Sequence, residues 1–192
     1  TAEIVKATSL PVTVKTRLGW DDDTKNVVEA AERLQDIGIE AISIHGRTRK
    51  QMYKGEADWS LIAEVKNNPR MRIPVFGNGD IDSPEKARWV LNTTGANAVM
   101  IGRSAQGRPW LPAQVDQFLN SGRIEINPNL SEILSALITH IKELSYFYGE
   151  VMGVRIARKH VGWYLNECFS ETPEEAKLVK SAFNRCETTE EQ

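Results

Sequence analysis

Four short, almost continuously apolar runs alternate with longer amphipathic segments along the first half of the chain. The runs are PVTVKTR at 11–17, EAISIHGR at 40–47, IPVFGNGD at 73–80 and NAVMIGR at 97–103. Their β-branched residues predict strands, and the lack of polar alternation is typical of strands buried on both faces of a parallel sheet.

The segments between the runs have helical periodicity and helix boundary signals. In TKNVVEAAERLQDIG the apolar side chains share one helical face, and Gly38 is placed to cap the C-terminus. Asp58 is the predicted N-cap of the next helix, and Ser83 with Pro84 predicts the start of the third. The order is therefore a serial strand–helix repeat.

Two parallel-sheet folds compete for this repeat, an open doubly wound sheet and part of a TIM barrel. Every predicted strand ends in polar residues, which favours the barrel because barrel enzymes build their sites at that edge from several strands. An open sheet gathers its site at one switch point instead. We predict an α/β fold in which residues 1–125 form strands 5 to 8 of a (β/α)8 TIM barrel. We infer that the earlier strands of the barrel are absent from this chain. The alternative is that two chains associate to close the barrel.

The rest of the chain is helical in pattern. The segment after the last strand, SAQGRPWLPAQVDQFLNSGR, is predicted to be a helical segment that closes the barrel. INPN at 126–129 is predicted to be a linker, and residues 126–192 are predicted to form a small all-α domain. Asn129 and Glu132 predict a capping box before one apolar face, formed by Ile133, Leu134, Leu137, Ile138, Ile141 and Leu144. The further helices are predicted from about Val154 to Cys168 and, after a second capping box at Thr172 and Glu175, to about Cys186.

Composition excludes several classes of protein. With 192 residues, 41% of them hydrophobic and 26% charged, the chain has the composition of a globular protein. No apolar run approaches the roughly 18 residues of a membrane span and no signal pattern opens the chain, so we expect a cytoplasmic protein without a membrane partner. The two cysteines lack CxxC spacing, which predicts reduced thiols and no metal site. The start without methionine, in the tail of a predicted helix, indicates a piece of a longer protein.

Glycine-rich turns follow the last two strands. GNGD and IGRS occupy the places where barrels commonly form a phosphate site, and glycine lets backbone N–H groups approach a phosphate closely. Arg103 would add a charge-assisted contact. Ordinary tight turns are the alternative for each motif.

Polar residues at successive strand ends are the next candidates. Lys15, His45 and Asn78 converge on one mouth of the barrel if the register holds. The alternatives are a solvated strand-end lysine and a structural histidine.

Basic residues cluster in two places in a chain of net charge −2. The loop RTRKQMYKG carries Arg47, Arg49, Lys50 and Lys54 beside Tyr53, and the predicted helix MGVRIARKHVGWYL leaves Arg155, Arg158 and Lys159 exposed. Solvated surfaces would explain both clusters. Phosphate-backbone contacts, with an aromatic ring for stacking, are the functional interpretation.

Taken together, VTVKTRLGW, ISIHGRTRKQMYKGEADW, IPVFGNGDI and MIGRSAQGRPW resemble the tRNA-dihydrouridine synthase family, especially its bacterial B-type members. RKHVGWYL resembles the tRNA-binding helical domain of that family. The resemblance implies an FMN-binding barrel that reduces the C5–C6 bond of a uridine in the D-loop of tRNA, with NADPH as reductant.

The resemblance also implies roles for individual residues. Lys15 would lie against the flavin and His45 near it, and the phosphate would be held by Asn78, Gly79, Asp80, Gly102 and Arg103. The tRNA contacts would be Arg47, Arg49, Lys50, Arg155, Arg158 and Lys159. The family's general-acid cysteine lies in the N-terminal half of the barrel, and neither Cys168 nor Cys186 matches its motif. We therefore expect no activity from these 192 residues alone. At full length we expect a monomeric enzyme.

Two rival functions stay open at this stage. A flavin barrel acting on a small molecule would share the phosphate loops but would not need the basic helices. A non-catalytic RNA-binding module would need the helices but no flavin. Steeply salt-dependent tRNA binding argues against the first, and flavin absorbance of the purified protein argues against the second.

Overall fold

The computed structural model describes all residues from 1 to 192. It divides into two compact units, the first formed by Thr1–Gly102 with Phe118–Gly122 and the second by Arg103–Gln117 with Arg123–Gln192. The sequence predicts a limit at residue 125, whereas the first division falls after Gly102. The difference arises because Arg103–Gln117 groups with the helical residues that follow it.

The first unit contains the sheet and the helices that connect its strands. Its strands are β1 (Thr13–Arg17), β2 (Ala41–His45), β3 (Val75–Asn78) and β4 (Ala98–Met100). Its helices are α1 (Ala2–Ala7), α2 (Val27–Ile37), α3 (Ser60–Asn67) and α4 (Pro84–Thr94), with a 3-10 turn at Asp22–Thr24. The four predicted strands and the helices between them are confirmed.

The strand order decides between the two candidate folds. All neighbouring strands are parallel and follow the chain in the order β1-β2-β3-β4. A doubly wound sheet reverses its strand order at a switch point, and this sheet has no such reversal. The architecture is that of a partial TIM barrel, and the open-sheet alternative is wrong.

The local boundary signals of the first unit have mixed outcomes. Gly38 caps α2 in the left-handed conformation with φ of 104°, and the Ser83 side chain accepts a hydrogen bond from the Lys86 amide at the start of α4. The prediction for Asp58 is wrong, because α3 begins at Ser60 with Trp59 as N-cap. The Asp58 carboxylate instead accepts hydrogen bonds from the Ser60 amide at 2.9 Å and hydroxyl at 2.6 Å, a local turn that precedes the helix.

The second unit is built from helices. It contains a 3-10 turn at Arg103–Ala105, most of α5 (Leu111–Ser121), and α6 (Leu130–Tyr148), α7 (Glu150–Cys168) and α8 (Pro173–Phe183). The capping box of Asn129 and Glu132 is confirmed. The one expected at Thr172 and Glu175 is wrong, because the Thr172 hydroxyl donates to the Glu175 carboxylate at 3.2 Å instead of capping the backbone.

The core of the second unit lies between α6, α7 and α8. Its buried side chains are Ile133, Leu137, Ile141, Ala157, Val161, Tyr164, Leu165 and Ala176. Leu134 and Ile138, predicted on the same buried face of α6, are 41% and 51% exposed. The apolar stripe of α6 is therefore wider than the surface its neighbours cover. None of the helices in the structure combines the length and apolar character that crossing a bilayer requires.

Candidate active site

One face of the sheet carries polar side chains at the C-terminal ends of its strands. The register pairs Arg17 with His45 and His45 with Asn78, and pairs Lys15 with Ser43 one step earlier. Because side chains alternate along a strand and paired residues of parallel strands share a face, all five project from the same side. We call this side the site face. It brings together the predicted residues Lys15, His45 and Asn78.

The opposite face is apolar. Ile42, Ile44 and Val75 have no exposed surface, and a Cβ added at Gly77 would contact Trp59 and Val90. Trp59 precedes α3 and Val90 lies in α4, so the helices cover this side of the sheet. The helix layer therefore leaves the site face as the surface for chemistry.

Arg47 and Asp80 form the most buried charged contact at the strand ends. The Arg47 guanidinium is 2% exposed and donates to both Asp80 carboxylate oxygens, at 2.8 and 2.7 Å. It also donates to the backbone carbonyls of Lys54 at 3.1 Å and Gly55 at 2.5 Å. The Ala57 amide donates to Asp80 at 2.8 Å. This network ties the loop after β2 to the turn after β3.

The network corrects the interpretation of Arg47 as a tRNA contact. Its N–H groups point into the protein and bind a carboxylate and backbone carbonyls, so Arg47 presents no charge to an external phosphate. The cause is the proximity of Asp80, an acid from another strand end that the run of basic residues did not reveal. Asp80 likewise directs its carboxylate at Arg47, so only its backbone remains for the predicted phosphate site.

His45 is a neutral side chain in this environment. It is 5% exposed, and burial, followed by the positive charges of Arg17, Lys15 and Arg47, lowers its pKa from the ordinary 6.5 to about 4. Its Nε2 lies 3.4 Å from a guanidinium nitrogen of Arg47. Since a guanidinium has no acceptor, Nε2 accepts here and Nδ1 carries the proton. His45 can therefore donate a hydrogen bond from Nδ1 without carrying charge.

A titration of His45 checks this assignment. We expect its ring protons, followed by NMR, to titrate with a midpoint near pH 4. Between pH 6.5 and 4 the unfolded chain binds a proton that the folded chain does not, so stability falls as the pH falls through this window, by roughly 3 kcal/mol at most. His45→Gln should remove that part of the pH dependence. A midpoint near 6.5 would contradict the buried, neutral state.

Lys15 and Arg17 make the site face electropositive. Lys15 is exposed along the free edge strand β1, and partial burial and the neighbouring Arg17 lower its pKa. Arg17 donates to the carbonyls of Thr48 and Met52, both at 2.8 Å, and its guanidinium carbon lies 5.7 Å from the Tyr53 ring. Arg17 thus anchors the basic loop and adds positive charge beside His45. The sequence shows it at a strand end, but only the register reveals this role.

Asn78 has a positioning role within the sheet. Its side-chain amide donates to the Met100 carbonyl at 2.7 Å, and its own carbonyl accepts from the Gly46 amide at 3.0 Å. It therefore joins the ends of β2, β3 and β4 at the level where the predicted phosphate turns begin.

The two turn glycines differ in what surrounds them. Gly79 has φ of 131°, and a Cβ there would lie 2.7 Å from the Ala57 Cβ and 3.3 Å from the His45 ring. Gly102 faces open space, with nothing within 4 Å of an added Cβ. Gly79 is thus required for close packing against His45, whereas Gly102 leaves room for a ligand. Arg103 opens the 3-10 turn of the second unit, and its part in a phosphate site stays a prediction.

The glycine pair offers a matched stability test. Gly79→Ala is expected to destabilise the first unit by about 2 kcal/mol or more, because a non-glycine residue is strained at this φ and its Cβ overlaps Ala57. Gly102→Ala should change stability by less than about 0.5 kcal/mol. Hydrogen exchange of the β2 and β3 amides measures both effects. Equal effects of the two substitutions would contradict the packing described here.

The other predicted tRNA contacts lie in different environments. Arg49 and Lys50 are exposed in the loop after β2, and the Lys50 ammonium binds the Asp21 carboxylate at 2.8 Å. On α7, Arg155 and Lys159 are exposed. Arg158, expected beside them on the surface, is half-buried and donates to the Cys186 carbonyl at 3.1 Å. The residues after α8 cover it, which the helical periodicity of α7 alone could not indicate.

Both cysteines lie in the second unit and not at the strand ends. Cys168 is the last residue of α7, and burial together with Glu167 raises the pKa of its thiol. Cys186 follows α8, and its thiol lies 3.3 Å from the Glu191 carbonyl. The site face itself is formed without a cysteine.

Sequence comparisons identify the family that builds such a site. The family model described as Dihydrouridine synthase (Dus) matches residues 1–192. The chain belongs to the dihydrouridine synthase family. It is 49% identical over 189 residues to tRNA-dihydrouridine synthase B of Vibrio cholerae, covering 98% of this chain and 56% of the relative. The relative of the same name from Pseudomonas aeruginosa is also 49% identical over 189 residues, covering 98% of this chain and 55% of the relative.

A more distant relative gives the same picture. The tRNA-dihydrouridine synthase B of Xanthomonas axonopodis pv. citri is 47% identical over 189 residues, which cover 98% of this chain and 55% of the relative. The chain thus spans little more than half the length of the curated relatives it matches.

Proposed function

We propose that the protein containing these residues reduces the C5–C6 bond of uridine in tRNA to form dihydrouridine. The observation that carries the proposal is the match of nearly the whole chain to relatives named tRNA-dihydrouridine synthase B, at 49% identity. The electropositive site face, with neutral His45 at its centre, supports the same reaction.

The residues of the site face fit an FMN cofactor. Gly102 leaves open space for a phosphate, and Lys15 and Arg17 supply positive charge on the same face. Asn78 is the last residue of β3, Gly79 and the Asp80 backbone follow it in the turn, and Gly102 and Arg103 follow β4. Bound FMN would supply hydride chemistry, with NADPH as the source of reducing equivalents.

The side chains of this chain would bind and orient the reactants. The Lys15 ammonium would stabilise the negative charge that develops on the reactants bound at the site face during hydride transfer. His45 would donate a hydrogen bond from Nδ1 while its Nε2 is held by Arg47. The Arg47–Asp80 network would keep the loop after β2 in place over the strand ends.

The proton delivered to C5 of uracil requires a general acid. We propose that a cysteine outside these 192 residues supplies it, because Cys168 and Cys186 both belong to the helical unit. The 192-residue chain alone is then inactive with FMN, NADPH and undermodified tRNA. Robust dihydrouridine formation by the isolated chain would contradict this part of the proposal.

The exposed cations of both units would bind the tRNA backbone. Arg49 and Lys50 lie in the loop after β2, and Arg155 and Lys159 lie one helical turn apart on α7. Base-modifying enzymes must unstack their target base, so contacts beside the target are needed to hold the RNA. We propose a uridine of the D-loop as the target, and a monomeric, cytoplasmic enzyme.

A charge-removal series tests the tRNA assignment. Arg155→Ala with Lys159→Ala is expected to weaken binding of undermodified tRNA to the full-length protein and to lower the salt slope by about 1 per lost contact. Lys177→Ala, which removes a cation paired with Glu174 on α8, is the matched control. Binding that does not depend on salt in the wild-type protein would favour the small-molecule flavin enzyme instead.

A further inference from the structure

The helical unit contains an open, shallow cavity that the proposed reaction does not use. It has a volume of about 830 Å³ and lies between the segment 105–109 and the facing sides of α6 and α7. Cavities of this size are typical of small-molecule and cofactor sites. Its lining includes Gln106, Glu132, His140, Glu143, His160 and Tyr164.

A series of aromatic rings in contact includes three that line this cavity, His140, His160 and Tyr164. The His140 and His160 rings are 4.5 Å apart, centre to centre, and His160 lies 5.1 Å from Trp163. On the other side, His140 lies 6.1 Å from Tyr164, which lies 6.5 Å from Trp110. All four pairs meet edge to face. Because His140 and His160 are only half-buried, these two rings keep surface available to a planar ligand.

The surrounding backbone holds this cavity in shape. Gly107 has φ of 80°, and a Cβ there would lie 2.5 Å from the Trp163 carbonyl carbon, so the segment 105–109 packs directly on α7. Arg108 binds Glu167 of α7 at 3.7 Å. Tyr164 is 3% exposed. Backbone packing and this ion pair thus fix the wall of the cavity formed by the segment 105–109 and α7.

The polar groups indicate the chemistry of the ligand. Glu132 and Glu143 are the acidic residues of the lining, and one Glu132 carboxylate oxygen accepts from the Asn129 amide in the capping box of α6. The remaining carboxylate oxygens disfavour an anion in the cavity but suit base amino groups and ribose hydroxyls.

The Lys159 ammonium lies 5.0 Å from the Trp163 ring, and Arg155 is exposed one turn earlier on α7. The histidines and carboxylates form no cluster able to hold a metal ion. A nucleobase at the exposed rings, with its phosphate at Lys159 beside Trp163, satisfies these features.

We propose that this cavity binds one unstacked base of the tRNA, with His140 and His160 as stacking surfaces. The inference rests on the proposed function and adds a binding subsite to it. Burial, His140 and Lys159 lower the pKa of His160, so this ring is neutral at neutral pH and stacks without the cost of desolvating a charge. The cations outside the cavity hold the adjoining phosphate.

Variants of the two histidines in the full-length protein test the proposal. His140→Ala with His160→Ala should raise Kd and KM for undermodified tRNA by roughly 5- to 100-fold, the range for loss of base stacking. We expect kcat and the salt slope of binding to stay unchanged, since the site face and the phosphate contacts are intact. His160→Phe, which keeps a stacking ring, should bind tRNA within about 3-fold of wild type.

A matched control tests whether loss of any exposed aromatic ring, and not only of those in this cavity, weakens tRNA binding. Tyr146 is 89% exposed on α6 outside the cavity, and Tyr146→Ala should leave Kd unchanged. Hydrogen exchange of the α6 and α7 amides checks that the histidine variants fold. If folded histidine variants bind tRNA like wild type, or Tyr146→Ala weakens binding equally, the proposal is overturned.

The same experiment distinguishes failure of the cavity from failure of the proposed function. Normal dihydrouridine formation and tRNA affinity in the histidine variants would overturn only the cavity. A wild-type protein that neither binds tRNA nor forms dihydrouridine would overturn both. Uridine and adenosine monophosphates are tested as free ligands. Saturable binding of either one that tRNA does not displace would assign the cavity to a free nucleotide and overturn the tRNA assignment.

Discussion

Arg47→Ala is expected to destabilise the first unit by about 3 kcal/mol, at the lower end of the range for breaking a buried ion pair. Arg47 is 2% exposed, and its loss removes the cation that faces the Asp80 carboxylate and the guanidinium donors of the Lys54 and Gly55 carbonyls. The Ala57 amide still donates to Asp80. The Asp80 side chain is 30% exposed, so water relieves part of the cost. Hydrogen exchange of the β2 and β3 amides measures the loss within this unit.

Arg49→Ala is the matched control for Arg47, because it removes an exposed guanidinium from the same loop. It should change the stability of the first unit by less than about 0.5 kcal/mol. Removing Asp80 as well as Arg47 should cost less than the sum of the single substitutions, because each single variant leaves one charge of the ion pair without the other. Additive effects would mean that the two side chains do not act as a pair.

Lys15→Met is expected to lower kcat for dihydrouridine formation by roughly 10²-fold in the full-length protein, the scale of losing one electrostatic contact to the transition state. Lys15 lies on the site face beside Arg17 and Ser43, and its side chain is exposed there. Methionine keeps a long unbranched side chain and removes only the charge. Steady-state kinetics with undermodified tRNA and NADPH measures the change.

A second lysine controls for the loss of charge alone. Lys6 is exposed on α1 and pairs with Glu3, away from the sheet, so Lys6→Met should leave kcat unchanged. The KM for tRNA should stay close to wild type in both variants, because neither lysine belongs to the proposed RNA contacts. A raised KM with unchanged kcat in Lys15→Met would place Lys15 in RNA binding and not at the cofactor.

The strands and helices of the parallel sheet are predictable from the sequence because the signals that define them are local. Apolar runs, capping residues such as Ser83 and the left-handed Gly38 each determine structure within a few residues. The choice between barrel and open sheet needs strand order, yet polar strand ends such as His45 and Asn78 favour the correct fold. Their meeting on one face follows from the parallel register.

The pairing of charges is not predictable in the same way. Arg47 looks like one of several loop cations, and only the fold brings Asp80, 33 positions later, to its guanidinium. Arg158 looks exposed by helical periodicity, but the residues after α8 cover it. Leu134 and Ile138 look buried by the same periodicity, but α6 lacks a neighbour on that side. Long-range contacts decide all of these cases.

The mass of uridine in tRNA, after incubation with the full-length protein, FMN and NADPH, tests the proposed dihydrouridine formation most directly. We expect a D-loop uridine of undermodified tRNA to gain two hydrogen atoms, and the gain to require FMN. Lys15→Met should slow the gain, whereas Lys6→Met should not. Unchanged uridine, alongside FMN-dependent NADPH oxidation by a small unsaturated substrate, would show that the protein is a flavin enzyme of small molecules instead.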